Sequence, residues 1–229
     1  MSNLNCAIQI SNLTKIIDKK IIIENANLLI NKGEICSLFG LNGIGKSVFL
    51  NCITGYMDFD YGEVKINGYD LSERTNIRKY SAFVSSDEYD YLNFLTPNEY
   101  YSFVISAFNL NIDQSHQKIE YLSRKLGTSS FSDELIRNLS FGTRKKVVLI
   151  GSLLYKPTIL ICDEIFEGLD QKSVQAVQDV FLEHAKSGCS VLFTTHLYDE
   201  ALKISNKNYE IKNKQIIEIT RDSKVKGEL

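Results

Sequence analysis

The sequence of 229 residues predicts an α/β fold: a parallel sheet covered by helices, interrupted near its middle by a helical insertion. Three observations carry that expectation. Strand patterns and helix patterns alternate along the chain. A glycine-rich loop, Gly40-Leu41-Asn42-Gly43-Ile44-Gly45-Lys46-Ser47, stands between an apolar run and a helical pattern, the arrangement that a phosphate-binding loop needs. Over residues 96–126 the pattern turns helical, and strands return only after Lys156-Pro157.

The elements follow in order. Residues 7–10, 20–23 and 27–30 read as three short strands, and the apolar run 34–39 as a buried one. Residues 47–54 read as a helix that Gly55 stops from a C-cap position. Residues 62–68 alternate into an Asn67-Gly68 turn. Thr96-Pro97-Asn98-Glu99 places a cap, a proline at the first helical position and an acid in the first turn. A helix-like run at 143–154 precedes a strand at 158–162. Residues 173–186 then form a helix with Val174, Val177, Phe181 and His184 on one face and Gly188 as its stop, and a strand follows at 189–194. The charged tail from about residue 220 is expected to fray.

Composition narrows the function classes. Hydrophobic residues make up 44% and charged residues 24%, values of an ordinary globular chain able to bury a full core. A net charge of −2 gives no electrostatic argument for nucleic acid or an anionic membrane. No apolar stretch is long enough to cross a bilayer and the N-terminus shows no secretion pattern, so any spanning is expected of another chain. The five cysteines are scattered, odd in number and without C-x-x-C spacing, which points to a reduced, cytosolic chain without metal or redox chemistry on sulfur.

The loop holds the chemistry. Its glycines let backbone N–H groups turn toward phosphates, Lys46 adds charge near the β/γ-phosphates, Ser47 offers a hydroxyl to Mg²⁺, and the following helix N-terminus, including Val48, adds a favourable dipole. Asp163-Glu164 ends an apolar strand, where open α/β sheets bind ligands: Asp163 can hold Mg²⁺ directly or through water, and Glu164 can act as general base. Leu139-Ser140-Phe141-Gly142 opens a helix, where a serine and exposed N–H groups make an anion site. His196 closes Thr194-Thr195-His196 at the end of another strand, where a neutral imidazole can hydrogen-bond a γ-phosphate oxygen. Each has a bland alternative: a glycine turn, an acidic turn, an ordinary N-cap or a packing histidine.

In this order, GLNGIGKS (Walker A), LSFG (signature), ILICDE (Walker B), Gly168-Leu169-Asp170 (D-loop) and TTH (switch histidine), the chain resembles the nucleotide-binding subunit of ATP-binding cassette (ABC) transporters over residues 5–217. The resemblance implies a phosphate-loop NTPase core of the ABC ATPase type, with an N-terminal antiparallel β-subdomain and an inserted α-helical subdomain. A single domain would place the catalytic core and β-subdomain at 1–86 and 156–219, the helical signature subdomain at 87–155 and a flexible tail at 220–229. It implies ATP and Mg²⁺ as ligands, with Gly40, Leu41, Asn42, Gly43, Ile44, Gly45, Lys46, Ser47 and Val48 on the phosphates, Glu164 and His196 catalytic, and Ser47, Ser86 and Asp163 at the metal. Ser140 and Gly142 would complete a partner's site in a head-to-tail pair, a homodimer or a heterodimer, and Asp170 would couple the two sites.

The stroke would pass to a transmembrane permease subunit through the surface around residues 87–94, leaving this chain peripheral on the cytoplasmic face of the membrane. Residues 164–170 look more like the exporter branch, and no nucleic-acid partner is expected. Two other readings stay open: a cassette ATPase acting on DNA or the ribosome, and a low-turnover regulatory module.

The departures are specific. Ser86 stands where the family's Q-loop has glutamine, so a water bridge, Asp87 or Glu88 would have to help reach Mg²⁺. Ile17 takes the place of the aromatic that stacks on adenine, Phe141 and Thr143 replace glycine and glutamine in the signature, and Ile165 replaces a proline. Among the aromatics at 89–103, Tyr89 and Tyr91 are expected to face a partner and Phe103 with its neighbours the core.

Overall fold

A computed structural model describes residues 5–86 and 89–219. Asp87, Glu88 and the tail from residue 220 lie outside them, so the help expected from Asp87 or Glu88 and the fraying of the tail find no description. The N-terminal strands are longer than their apolar runs suggest: β1 (Cys6–Ile17) and β2 (Lys20–Asn31) form one antiparallel hairpin. The runs at 20–23 and 27–30 are two halves of β2, joined through Asn25 at φ 47°, whose N–H donates to Thr14 Oγ1 at 3.0 Å. An asparagine tolerates that left-handed conformation, so the strand bulges where its pattern breaks and then continues.

β3 (Ile35–Phe39) leads into α1 (Lys46–Thr54), which Gly55 terminates at φ 76°. β4 (Tyr61–Ile66) turns through Asn67 and Gly68 into β5 (Tyr69–Asp70), and the first sheet is antiparallel throughout in the order β2-β1-β4-β5. After α2 (Arg74–Tyr80) and β6 (Ser81–Val84), the helical part comprises α3 (Pro97–Ala107), α4 (Ile112–Leu126) and α5 (Phe141–Leu154). Thr96 and Glu99 form a reciprocal capping box at the start of α3. Then come β7 (Ile159–Cys162), α6 (Gln171–Lys186), β8 (Ser190–Thr194), α7 (Tyr198–Leu202), β9 (Lys207–Lys212) and β10 (Gln215–Ile219).

The second sheet runs β10-β9-β3-β8-β7-β6, parallel except for the antiparallel edge strand β10. Its central strands are buried on both faces and alternate between two cores. Cys36, Leu38, Ile159, Ile161 and Leu192 face α1 and the antiparallel sheet, packing on Phe49, Leu50 and Ile53. Leu160, Cys162, Val191 and Phe193 face α5 and α6, packing on Val147, Val177 and Phe181. α1 is thereby held between two sheets, and the loop before it has a rigid floor.

Two aromatic expectations are corrected. Tyr89 is buried, its hydroxyl donating to the Ser85 carbonyl, so it belongs to the core and faces no partner. Phe103 is 65% exposed because Tyr101, Val104 and Ile105 occupy the inner face of α3, and residue 103 falls on the outer one. Tyr91 and Phe94 are exposed, with the Arg137 guanidinium 5.3 Å from the Phe94 ring centroid.

Candidate functional site

Parallel strands bring their carboxyl ends to one edge. Register pairs Leu38 of β3 with Thr194 of β8, Phe193 with Cys162 of β7, and Cys162 with Val84 of β6. The residues that follow those strands therefore meet, although up to 156 positions separate Gly40 from His196 in the sequence. A cleft of about 380 Å³ opens there, lined by Asn42, Gly43, Gly45, Lys46, Ser47, Val48, Ser86, Glu164 and Glu167.

The loop backbone is shaped for close approach. Gly45 has φ 115°, and a Cβ on it would stand 2.9 Å from Ile22 Cγ2, so only glycine fits against β2. Helix α1 has no side-chain cap and no acid in its first turn, which leaves its N-terminal N–H groups for an anion. Lys46 is buried and knits the loop together: Nζ donates to the carbonyls of Gly40 at 2.8 Å and Leu41 at 3.2 Å and lies 3.0 Å from Glu164 Oε1. Leu41 itself is 80% exposed and is not among the residues lining the cleft.

The acidic pair divides its work. Asp163 is buried: Oδ1 accepts from Thr194 Oγ1 at 2.5 Å and Oδ2 from Ser86 Oγ at 2.8 Å. Glu164 extends into the cleft between Lys46 and His196, whose Nδ1 lies 3.4 Å from Oε2. Its backbone has φ 44°, unusual for a residue with a side chain, and its N–H donates to Thr194 Oγ1 at 2.7 Å. One threonine hydroxyl thus orients both acids.

The donor set suits a small hard cation. Ser47 and Ser86 line the cleft and the Ser86 hydroxyl bonds Asp163, an all-oxygen set of the kind magnesium takes with phosphate oxygens. Among the described residues no group of three His, Cys, Asp or Glu that could hold a metal ion is found.

Other expected residues lie elsewhere. Ser140 is the N-cap of α5, accepting from Thr143 N–H at 3.2 Å, and neither it nor Gly142 is among the residues lining the cleft. A Cβ on Gly142 would sit 2.5 Å from the Gly168 carbonyl oxygen, so the LSFG turn packs on the 168–170 loop of its own chain. Asp170 caps α6, accepting from Ser173 N–H at 2.7 Å, a bond that holds its carboxyl below the usual range. Ile17 ends β1 beside the turn at Asp18-Lys19, half-buried and outside the cleft lining.

Two contributors were missed. Thr194 looks like any β-branched strand residue until the fold sets it between Asp163 and Glu164. Lys145 sits in the run Arg144-Lys145-Lys146, which reads as a solvated charge cluster, yet it is fully buried. Its position four residues after Phe141, on the same face of the helix, was the available signal.

Comparison with known proteins agrees with this architecture. Residues 23–167 match the family model described as "ABC transporter". The phosphonates import ATP-binding protein PhnC of Fusobacterium nucleatum is 28% identical over 95% of this chain and 94% of its own length. A putative ABC transporter ATP-binding protein, AlbC of Bacillus subtilis, is 29% identical over 86% of this chain and 83% of its own. Among solved structures, an ATP-binding subunit of an ABC transporter superposes with a TM-score of 0.87 at 25% identity, covering 94% of this chain and 90% of that one.

Proposed function

The chain belongs to the ABC transporter family as an ATP-binding subunit, and from that premise we propose that it hydrolyses ATP to drive a separate transmembrane subunit. The observation that supports this most is the meeting of Lys46, Ser47, Ser86 and Glu164 around one cleft.

In this reading the α1 N-terminus and Lys46 hold the phosphates of ATP, and Glu164 accepts the proton of the attacking water. His196 orients Glu164 and meets the terminal phosphate. Ser47 and Ser86 would hold Mg²⁺, with Asp163 behind the Ser86 hydroxyl, and the bound cation would supply charge neutralisation on the phosphate oxygens. Ser140 and Gly142 lie outside the lining of their own cleft, which supports a head-to-tail pair in which each signature completes the other chain's site. The pair is a homodimer or a heterodimer with a second cassette. The helical signature subdomain at 87–155 is one unit in this reading, and 1–86 together with 156–219 form the other, the catalytic core with its β-subdomain.

No helix among the described residues is long and apolar enough to cross a membrane. In this reading a separate transmembrane permease subunit does the spanning, and this chain sits peripherally on the cytoplasmic face. The segment 164–170 supports export as the direction. ATP turnover of the chain with its membrane partner, compared with Glu164→Gln and Ser140→Ala, tests the reading. Both variants should fall at least about a hundredfold, as loss of a general base or a completing anion site requires. Full turnover by an isolated monomer, unaffected by Ser140→Ala, would overturn it; accumulation of substrate inside inverted vesicles tests the direction.

A further inference from the structure

Lys145 is a buried ammonium without a buried counter-ion. It projects from the second turn of α5 into the back of the Glu164–Glu167 turn, and its side chain is 1% exposed. Nζ donates to the Glu164 carbonyl at 2.5 Å and to the Glu167 carbonyl at 3.4 Å. The Glu167 carboxylate, half exposed, lies 3.7 Å away, and the Phe141 ring covers the ammonium with its centroid 4.3 Å from Nζ. Two carbonyls and an aromatic face therefore take the contacts that water would make.

Such burial is costly, and a hydrocarbon of similar volume would ordinarily serve stability as well or better. What the ammonium does hold is an unusual backbone. Glu164 has φ 44°, and both of its backbone polar groups are fastened by side chains: Thr194 Oγ1 accepts from its N–H at 2.7 Å, and Lys145 donates to its carbonyl. A left-handed conformation in a residue with a long side chain persists when its surroundings over-determine it. The result aims the Glu164 carboxylate at Lys46 and His196. Phe141 lies beside both Lys145 and Gly168, so the start of the signature helix touches the catalytic turn and the following loop at once.

We propose that Lys145 is a positioning residue for Glu164, fixing the backbone of the 164–167 turn from the signature helix, with Phe141 sealing the ammonium from water. This rests on the reading of Glu164 as general base.

The test is kcat and KM for ATP in Lys145→Met and Lys145→Arg, in wild-type and Glu164→Gln backgrounds with the membrane partner, together with amide exchange of the nucleotide-free chain. Lys145→Met should lower kcat at least about tenfold with KM for ATP within about twofold, the mark of a misplaced catalytic group and not of lost binding. Lys145→Arg should restore most of kcat, and Lys145→Met should lower the residual turnover of Glu164→Gln no further. Amides of residues 164–169 should exchange at least about tenfold faster in Lys145→Met, while those of α1 do not change. Wild-type kcat in Lys145→Met, an equal fall in the Glu164→Gln background, or unchanged exchange at 164–169 would each overturn the proposal. If Lys145→Met does not fold, Lys145→Gln takes its place in every comparison. Equal turnover by wild type and Glu164→Gln would instead refute Glu164 as general base, and amide exchange alone would then decide whether Lys145 holds the turn.

Discussion

Lys46 Nζ lies 3.0 Å from Glu164 Oε1, so the lysine of the phosphate loop and the acid at the end of β7 are already paired across the cleft. The side chains are 5% and 13% exposed, and the Gly40 and Leu41 carbonyls satisfy the rest of the ammonium. A polyphosphate entering the cleft competes with the carboxylate for the same charge.

Glu164→Gln should therefore tighten ATP binding, by about threefold to tenfold, because it removes both the competing partner and a like charge near the phosphates. Lys46→Ala should weaken it by at least about tenfold. Titration calorimetry on the two variants checks both signs; unchanged affinity in Glu164→Gln would show that the pair does not compete with substrate.

Thr194→Val should lower stability by about 1–3 kcal/mol, because it strands a buried Asp163 oxygen and the Glu164 N–H. Thr194→Ser keeps the hydroxyl and should recover most of that loss. Urea unfolding of the three proteins gives the comparison. Turnover should follow the same order, since the hydroxyl orients both acids.

Gly142→Ala should disturb the chain even without nucleotide. A Cβ there meets the Gly168 carbonyl oxygen at 2.5 Å and Leu169 Cδ2 at 2.9 Å, both within the same polypeptide. Overpacking of this kind costs about 1–3 kcal/mol. A fall in thermal midpoint of the isolated chain would be seen; an unchanged midpoint would confine the glycine's role to contacts between chains.

His184 supplies a pH dependence. Burial, and the neighbouring Lys118 charge, push its imidazole down to about 4 from an ordinary 6.5, while a bond to the Pro157 carbonyl acts weakly the other way. The ring is neutral when folded and protonates more readily when unfolded. Its contribution is complete above pH 6.5 and is lost as pH falls through about 4, by up to about 3 kcal/mol. Carboxylates titrate in the lower part of that window, so the difference between wild type and His184→Gln isolates the histidine. The variant should show a shallower fall in stability from pH 7 to 4.5; parallel curves would contradict the assignment.

Much of this was readable beforehand because its signals are local. The phosphate loop, the Thr96 capping box, the Gly55 stop and the Asn67-Gly68 turn depend on residues within one or two turns of each other. The single hairpin of β1 and β2 was not readable, since the Asn25 bulge is stabilised by Thr14 in the paired strand. Tyr89 and Phe103 exchanged their expected roles for the same reason. Which face of α3 turns inward, and whether a tyrosine hydroxyl finds a carbonyl, depend on how segments pack.

The sequence by itself determined which groups are available: a glycine loop with one lysine, an acidic pair closing a strand, a histidine closing another, and a signature turn at a helix start. Only the tertiary structure decided that Thr194 bonds both acids, that Ser86 reaches Asp163, and that Lys145 lies under Glu164 and out of solvent. The physical reason is the order of the parallel sheet. It sets β3, β8, β7 and β6 side by side although they are scattered along the chain, and hydrogen bonds across that edge join residues with no relation in sequence.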